Sequence, residues 1–377
     1  MPKRKKIIKS VENWFIHFER PLSSFSVIAG FVFNALFLTR ADLFWENFWI
    51  AIHILIAAVC IVFINIGHAR NERLEIDEKE DPNTLHFWLV SITQFMFGGL
   101  MSTFIVFYFR SGVLSVAWPF FLMLAVAFIA NERLKKRYER TTFQIIFLFL
   151  SILLFAIYFV PVLTKEIGPR IFVLSGLIAL ALTFLFLLIL RLSAKNQFRA
   201  HQLSIVKWIA GIFVGVNTLY FFGLIPPLPL SAEDSGIYHS ITRTSDGDYS
   251  VSTELPQTLF EKAFSSLGIT TRYTSELNAP VYAYTAIFSP VSFSTSIVHQ
   301  WQHYDEQSRQ WVTSGTVTLP ILGGRDGGYR TYSIHRITDA GKWRVNVSTG
   351  TGQLLDRIHF TAVIQDKNPE TVTIIKQ

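Results

Sequence analysis

Seven long apolar runs, at about 22–39, 47–66, 86–109, 113–130, 143–163, 171–190 and 205–225, constrain this chain more than any other feature. Each has about 18 residues or more, the length at which a helix crosses the hydrocarbon core of a bilayer. No Asp, Glu, Lys or Arg falls in the middle of any run, although Lys207 stands at the entry of the last. Inside a bilayer no water meets the backbone N–H and C=O groups, so runs of this kind must close their hydrogen bonds internally as helices. The expectation is a multi-pass α-helical membrane bundle of seven spans over residues 22–230.

The basic residues say how such a bundle is oriented. Lys and Arg concentrate in alternate gaps. The N-terminal stretch holds Lys3, Arg4, Lys5, Lys6, Lys9 and Arg20; the later gaps of the same set include Arg70 and Arg73, the cluster Arg133 to Arg140, and Arg191 to Lys207. The remaining gaps hold Arg40, Arg110, Lys165 and Arg170. Because positive loops stay cytoplasmic, the N-terminus is expected inside and everything after the seventh span outside. The net charge of +7 would suit a nucleic-acid ligand, but its placement between apolar runs assigns it to the membrane instead, and no nucleic-acid partner is expected.

Residues 1–21 contain a helical stripe of Ile7, Ile8, Val11, Trp14, Phe15 and Phe18 behind a group of lysines, the pattern of an amphipathic helix on the inner leaflet. The first run is too long for a cleaved signal peptide, and no small-residue cleavage site follows it. The single cysteine, Cys60, allows no disulfide within the chain. "NERL" recurs at Asn71–Leu74 and Asn131–Leu134, each time just past a span, and reads as two helix ends. Gly211 and Gly215 form a GxxxG that permits close helix packing. Polar residues inside the runs include Asn34, His53, Gln94 and Asn217, which would line a pathway if the bundle carried a solute. No Asp or Glu is available among them for a proton or sodium relay.

Beyond "IPPLPL" at 225–230 the composition changes to Ser, Thr, Gly and short alternating segments. Prolines cannot continue a helix, so this stretch is a stiff exit from the bundle. A hairpin is expected to turn at Asp246–Gly247, followed by a short helix over 256–267. Strands are expected at 281–289, 293–304, 309–319, 328–337, 341–348, 354–365 and 370–376. Residues 231–377 thus read as an all-β antiparallel sandwich, with enough chain for its own core. Within it, "TGTG" at 349–352 is flanked by strand pattern on both sides. It is read as a hairpin turn rather than a phosphate cradle, with Lys342, Arg344 and Asn346 as an outward row.

The order "VYAYTAIF", "HQW" (His299–Trp301), "RTYS" (Arg330–Ser333), "GKWRV" (Gly341–Val345) and "GQLLDRIHF" (Gly352–Phe360) carries a resemblance. It resembles the C-terminal domain of an uncharacterised bacterial membrane protein family, domain-of-unknown-function family 2914. The resemblance covers roughly 280–364. It implies a bacterial envelope protein and brings no activity with it.

His299 and His303 share a strand face with Trp301, but at about 3.3 Å per residue they stand roughly 13 Å apart, too far to ligate one ion. No metal site, cofactor or catalytic set is expected, since no nucleophile elbow or paired carboxylates are present. Trp301, Arg330, Tyr332 and Arg344 are the candidate ligand-binding residues, an aromatic and basic set suited to a sugar, a peptide or an anionic polymer. For Trp301 and Trp343 a place in the core is the favoured alternative, since tryptophans in strands are more often core anchors. The expected protein is a non-catalytic, membrane-anchored binding or interaction protein of the bacterial inner membrane, with its β-domain in the periplasm. Its expected partners, besides the lipid bilayer, are envelope proteins or a cell-wall polymer. The alternative is a small-solute transporter or channel with an outer capping domain.

Overall fold

A computed structural model describes residues 43–74, 84–133, 141–226, 229–245, 247–254, 271–289, 294–323, 328–365 and 369–376. The helix expected at 1–21, the first apolar run with Asn34, Asp246 and the short helix expected at 256–267 lie outside the described residues.

Six helices follow the second to the seventh apolar runs: α1 (Phe44–Leu74), α2 (Thr84–Arg110), α3 (Leu114–Arg133), α4 (Thr141–Thr164), α5 (Pro169–Ser193) and α6 (Lys195–Phe221). All six are long and apolar enough to cross a membrane. The two "NERL" stretches fall at helix ends, with α1 closing at Leu74 and α3 at Arg133. In α4, 78 % of the apolar stretch is buried, against 22–44 % in the other five helices, so α4 is the inner helix and the rest expose broad apolar faces. Such exposure is stable only against another apolar phase, as a bilayer supplies.

Polar side chains within the helices mostly turn back on their own backbones. Thr93, Thr103, Ser151 and Ser175 each donate to the carbonyl four residues earlier. One cluster instead joins two helices. Asn65 of α1 donates to Gln144 Oε1 of α4 at 2.9 Å and accepts from Thr141 Oγ1 at 2.5 Å, all three side chains being buried. The expected close packing at Gly211 and Gly215 is not made among the described residues: a Cβ added to either would meet nothing within 4 Å. The tight approach lies at Gly176 of α5, where a Cβ would stand 2.9 Å from the Phe213 ring. Phe213 of α6 fills the space over Gly176, while the two glycines of α6 point elsewhere.

Eleven strands follow among the described residues: β1 (Ser231–Tyr238), β2 (Ser240–Arg243), β3 (Tyr249–Glu254), β4 (Thr271–Ser275), β5 (Pro280–Phe288), β6 (Ser294–Asp305), β7 (Gln310–Leu322), β8 (Tyr329–Arg336), β9 (Gly341–Thr349), β10 (Leu354–Ile364) and β11 (Thr371–Lys376). They form three sheets, β1-β5-β8, β4-β10-β9-β6-β7 and β11-β3-β2. Pairing is antiparallel except for β10 with β4, which run parallel.

The expected two-sheet sandwich needs one correction, because a third sheet is present. Its cause lies in β5. "VYAYTAIF" alternates aliphatic and small residues with tyrosines rather than with charged side chains, so neither face suits water. Val281, Ala283 and Ile287 pack into one core with Trp301, Trp343 and Phe360 of the five-stranded sheet. Tyr284 and Ala286, on the other face, pack into a second core with Ile241 and Val251 of the small sheet. The first sheet is thereby covered on both sides. Its margins also approach the larger sheet, β1 against β10 and β8 against β7.

Two turns set the strand registers. Thr349 N donates to Gln353 O and Gly352 N to Thr349 O, a three-residue hairpin loop with Gly352 at φ +88°. Here the left-handed conformation falls on Gly352 alone. Gly350 is small for another reason, since a Cβ there would stand 3.0 Å from Ser296 Oγ. The β2–β3 hairpin turns in the same manner, with Gly247 at φ +88° and Thr244 N donating to Asp248 O.

The chain divides into two compact units. One comprises most of the helical residues. The other contains the β-region together with Tyr108–Trp118, between α2 and α3, and Pro161–Gly168, between α4 and α5. Within this second unit Ile167 packs against the Trp301 core, and a Cβ on Gly112 would lie 2.5 Å from Pro226.

Candidate functional site

The five-stranded sheet has two faces of different character, and each of its strands contributes to both. Alternation along β6 sends Ile297, His299 and Trp301 inward and Gln300 and Gln302 outward. The inward set is closed. His299 Nδ1 is 2.8 Å from Ser333 Oγ and its Nε2 is 3.1 Å from Thr285 Oγ1, while Trp301 Nε1 donates to Ser333 Oγ at 3.0 Å. These bonds tie the large sheet to β5 and β8 through its core. Burial alone pushes the His299 imidazole down to about 4, so it is neutral near pH 7. Trp343, from the same face, donates to Asp339 O and stacks with Phe360.

The outward set is laid out by register. Gln300 of β6 stands opposite Asn346 of β9, which stands opposite Arg357 of β10; one row along, Gln302 faces Arg344, which faces His359. Arg344, His359, Arg357 and Asn346 therefore mark the corners of a square, with the two arginines on a diagonal. The guanidinium of Arg344 lies 4.2 Å from the ring centre of Trp311 on β7. Its Nε donates to Gln302 Oε1 at 2.7 Å, and Arg357 Nε donates to Asn346 Oδ1 at 2.7 Å. Asn346 Nδ2 donates to Gln302 Oε1 at 3.0 Å, and Gln302 Nε2 donates to Thr313 Oγ1 at 3.1 Å. An amide relay thus fixes both guanidinium planes.

Neither arginine has an ion-pair partner among the described residues. Asp356, the nearest acid in sequence, accepts from the Arg357 backbone N–H. Burial, and then the neighbouring Arg357, lower the Arg344 guanidinium to about 10. The His359 imidazole is lowered by burial, then by Arg357 and Arg344, with Asp356 acting in the opposite sense. Lys342 of β9 and Arg272 of β4, both opposite Thr361 of β10, extend the same basic face.

The four candidate ligand-binding residues do not converge. Trp301 is fully buried, so its place in a binding surface is corrected to the core; an indole at an inward position is taken up by packing. Arg330 of β8 pairs with Asp248 at 3.0 Å, and Tyr332 packs among Tyr249 and Tyr282 beside the second core. Arg344 alone of the four lies on the outer face of the five-stranded sheet. Its neighbours Gln302, Asn346, Arg357 and His359 were not singled out as a group by sequence, because only the register brings three strands into line.

Of the candidate pathway residues, the three that are described, His53, Gln94 and Asn217, do not converge either. His53 Nδ1 lies 2.8 Å from Trp49 O and Asn217 Nδ2 donates to Phe213 O, each turning back on its own helix. Gln94 of α2 reaches Asn131 O of α3 at 3.4 Å. Among the described residues no three His, Cys, Asp or Glu side chains gather as metal ligands. Ser314 Oγ and His335 Nε2 are 2.9 Å apart, but among the described residues no carboxylate orients that histidine.

The outer square and its relay lie wholly within one stretch of the chain. Residues 294–362 match the family model described as protein of unknown function, DUF2914. The DUF2914 segment thus runs from β6 to near the end of β10 and includes both arginines. No curated protein matches the chain. Among solved structures, a β-glucosidase from Listeria innocua in complex with glucose aligns at 11 % identity over 37 % of this chain and 17 % of its own, with a TM-score of 0.19. The chain spans about a sixth of that enzyme's length. The alkylpurine DNA glycosylase AlkC from Pseudomonas fluorescens, bound to DNA containing an abasic site analogue, aligns at 9 % identity over 82 % of this chain and 96 % of its own, also with a TM-score of 0.19. Scores this low carry no argument about fold or activity.

Proposed function

We propose that this is a non-catalytic, membrane-anchored binding protein of the bacterial envelope. In this reading seven spans, the described six and the apolar run at 22–39, hold the chain in the inner membrane with its N-terminus inside. The β-domain stands in the periplasm and uses the outer face of its five-stranded sheet to engage an envelope polymer or protein. One observation carries the binding role: Arg344 and Arg357 are held rigid by amides and have no counter-charge among the described residues. Fixed donors without internal partners are what a recognition surface requires and what a structural network avoids.

Orientation has its own support. The compact unit that contains the β-region also contains 108–118 and 161–168, two helix connections with the helix ends that flank them. Those are gaps poor in Lys and Arg, which the positive-inside rule assigns to the outer side.

Photo-crosslinking in living cells tests the reading. A photoreactive residue at Thr316, exposed on β7 opposite Gln300, is expected to yield adducts with non-lipid envelope material. The same residue at Thr242, exposed on the small sheet, is expected to yield none. Equal labelling from the two positions, or none from Thr316, would sink the assignment.

A further inference from the structure

We infer that the square formed by Arg344, Arg357, His359 and Asn346 is a phosphate site, taking a phosphate monoester or diester carried by the molecule that docks on this face. The inference rests on the binding reading above and names its ligand chemistry.

Three features point to a tetrahedral oxyanion. The first is donor geometry. Each arginine has committed Nε to an amide oxygen, which leaves the four N–H bonds of its terminal nitrogens without a partner among the described residues. Diagonal neighbours on one sheet face stand about 7–8 Å apart, a span that one phosphate group can bridge with a charge-assisted bond from each side.

The second is charge. Two cations held close with no carboxylate between them repel, and half-burial makes that repulsion stronger than at an open surface. A phosphate group, with one negative charge as a diester or up to two as a monoester, offsets it. A planar carboxylate could satisfy one guanidinium in a two-pronged contact, whereas donors approaching from Arg344, Arg357 and His359 together match an anion with oxygens in three directions.

The third is pre-organisation. Gln302 and Asn346 are almost wholly buried and bonded to each other, and Trp311 lies beneath the Arg344 plane. The donors are therefore aimed before a ligand arrives, which reduces the ordering cost of binding.

The charged groups around His359 are Arg344 on β9, Arg357 and Asp356 on β10, and Lys342 and Arg272 on the flanking strands. The cations disfavour its protonation and a bound anion favours it. Binding of sulfate, whose charge does not change with pH here, should accordingly take up a proton and strengthen as the solution is made acidic, whereas phosphate itself gains a proton.

The test uses the full chain in phosphatidylcholine nanodiscs, with inorganic phosphate as the probe and calorimetry as the readout. Phosphate is expected to bind, and sulfate to compete with it better than acetate. Arg344→Gln and Arg357→Gln should each weaken binding at least tenfold, and Arg344→Lys by less. His359→Gln should remove the pH dependence of sulfate binding while retaining part of the affinity. Arg243→Gln, on the small sheet, should change nothing. Absence of phosphate binding by the unaltered chain overturns the inference; so does binding by the two glutamine variants as tight as that of the unaltered chain, or acetate competing better than sulfate. Unchanged thermal unfolding of the variants separates lost binding from lost fold.

A second arm fixes the source of the phosphate. If the site takes a headgroup of its own bilayer, phosphatidylglycerol in the nanodisc will compete with inorganic phosphate. If it takes a soluble or polymer-borne ester, phosphatidylglycerol will have no effect and glycerol 3-phosphate will bind. Crosslinks from Thr316 that persist without phosphate binding would reject the phosphate assignment alone. Loss of both would reject the binding face with it.

Discussion

The inner and outer faces of the five-stranded sheet hold comparable polar inventories and use them in opposite ways. Inside, the Thr285–His299–Ser333–Trp301 bonds close on themselves, and every named ring nitrogen has a partner. Outside, the Gln302–Arg344 and Asn346–Arg357 bonds fix the arginines and stop there, leaving donors to spare. A closed network contributes to stability and specifies one packing, while an open one adds little to stability and remains available to a ligand. Both faces are built from the same strands, so any substitution can be sorted by the side on which it falls.

The largest effect belongs to the inner face. Trp301→Ala should destabilise the β-region by about 3–5 kcal/mol, because a fully buried indole leaves a cavity and takes one of its two partners from the Ser333 hydroxyl. Denaturant unfolding of the full chain in detergent measures it, and a cost below about 1 kcal/mol would break the contrast between the faces.

Acid should act on the same network. His299 has a folded-state value of about 4 against an unfolded value of 6.5. Between those values the unfolded chain binds the extra proton, so stability is complete above pH 6.5 and declines as pH falls through 4, by up to about 3 kcal/mol. His299→Gln should flatten that decline in pH-dependent unfolding of the β-region. A slope unchanged in the variant would assign acid sensitivity elsewhere.

A smaller loss is expected at Asn65→Leu, about 1 kcal/mol, since interhelical hydrogen bonds in membranes average less than their chemistry suggests. Thermal denaturation followed by helical signal reads it. Smallest of all is Arg344→Gln, which should move stability by no more than about 0.5 kcal/mol while removing phosphate binding. If Arg344→Gln unfolds the domain, the outer network is structural after all.

The strands expected from 281 to 376 appear within a few residues of their places, because alternation of apolar and polar side chains is a local signal. β4 was not foreseen: "TRYTS" has one inward apolar residue, Tyr273, and gains its identity from parallel pairing with β10. The third sheet was equally hidden. Local pattern shows that β5 lacks a polar face but not which strands cover it. At the candidate site, the outward row Lys342, Arg344 and Asn346 was legible from period two alone. Arg357, His359 and Gln302 were not, since their neighbourhood depends on how three strands slide against one another. Trp301 failed as a marker for a related reason, because hydrophobic aromatic residues read alike at a binding surface and in a core.

The pairing of β11 with β3 and of β4 with β10 has a consequence for how the domain comes into being. β4 finds its partner only in β10, and β3, beyond its hairpin with β2, is completed only by β11, so the domain cannot be assembled progressively from one end. Its contact order is high, and loop closure must be met before the pairing that rewards it. Until residues 354–376 are available, β4 and one edge of β3 have no native neighbour, and a chain emerging in order would need them shielded from other strands for that interval.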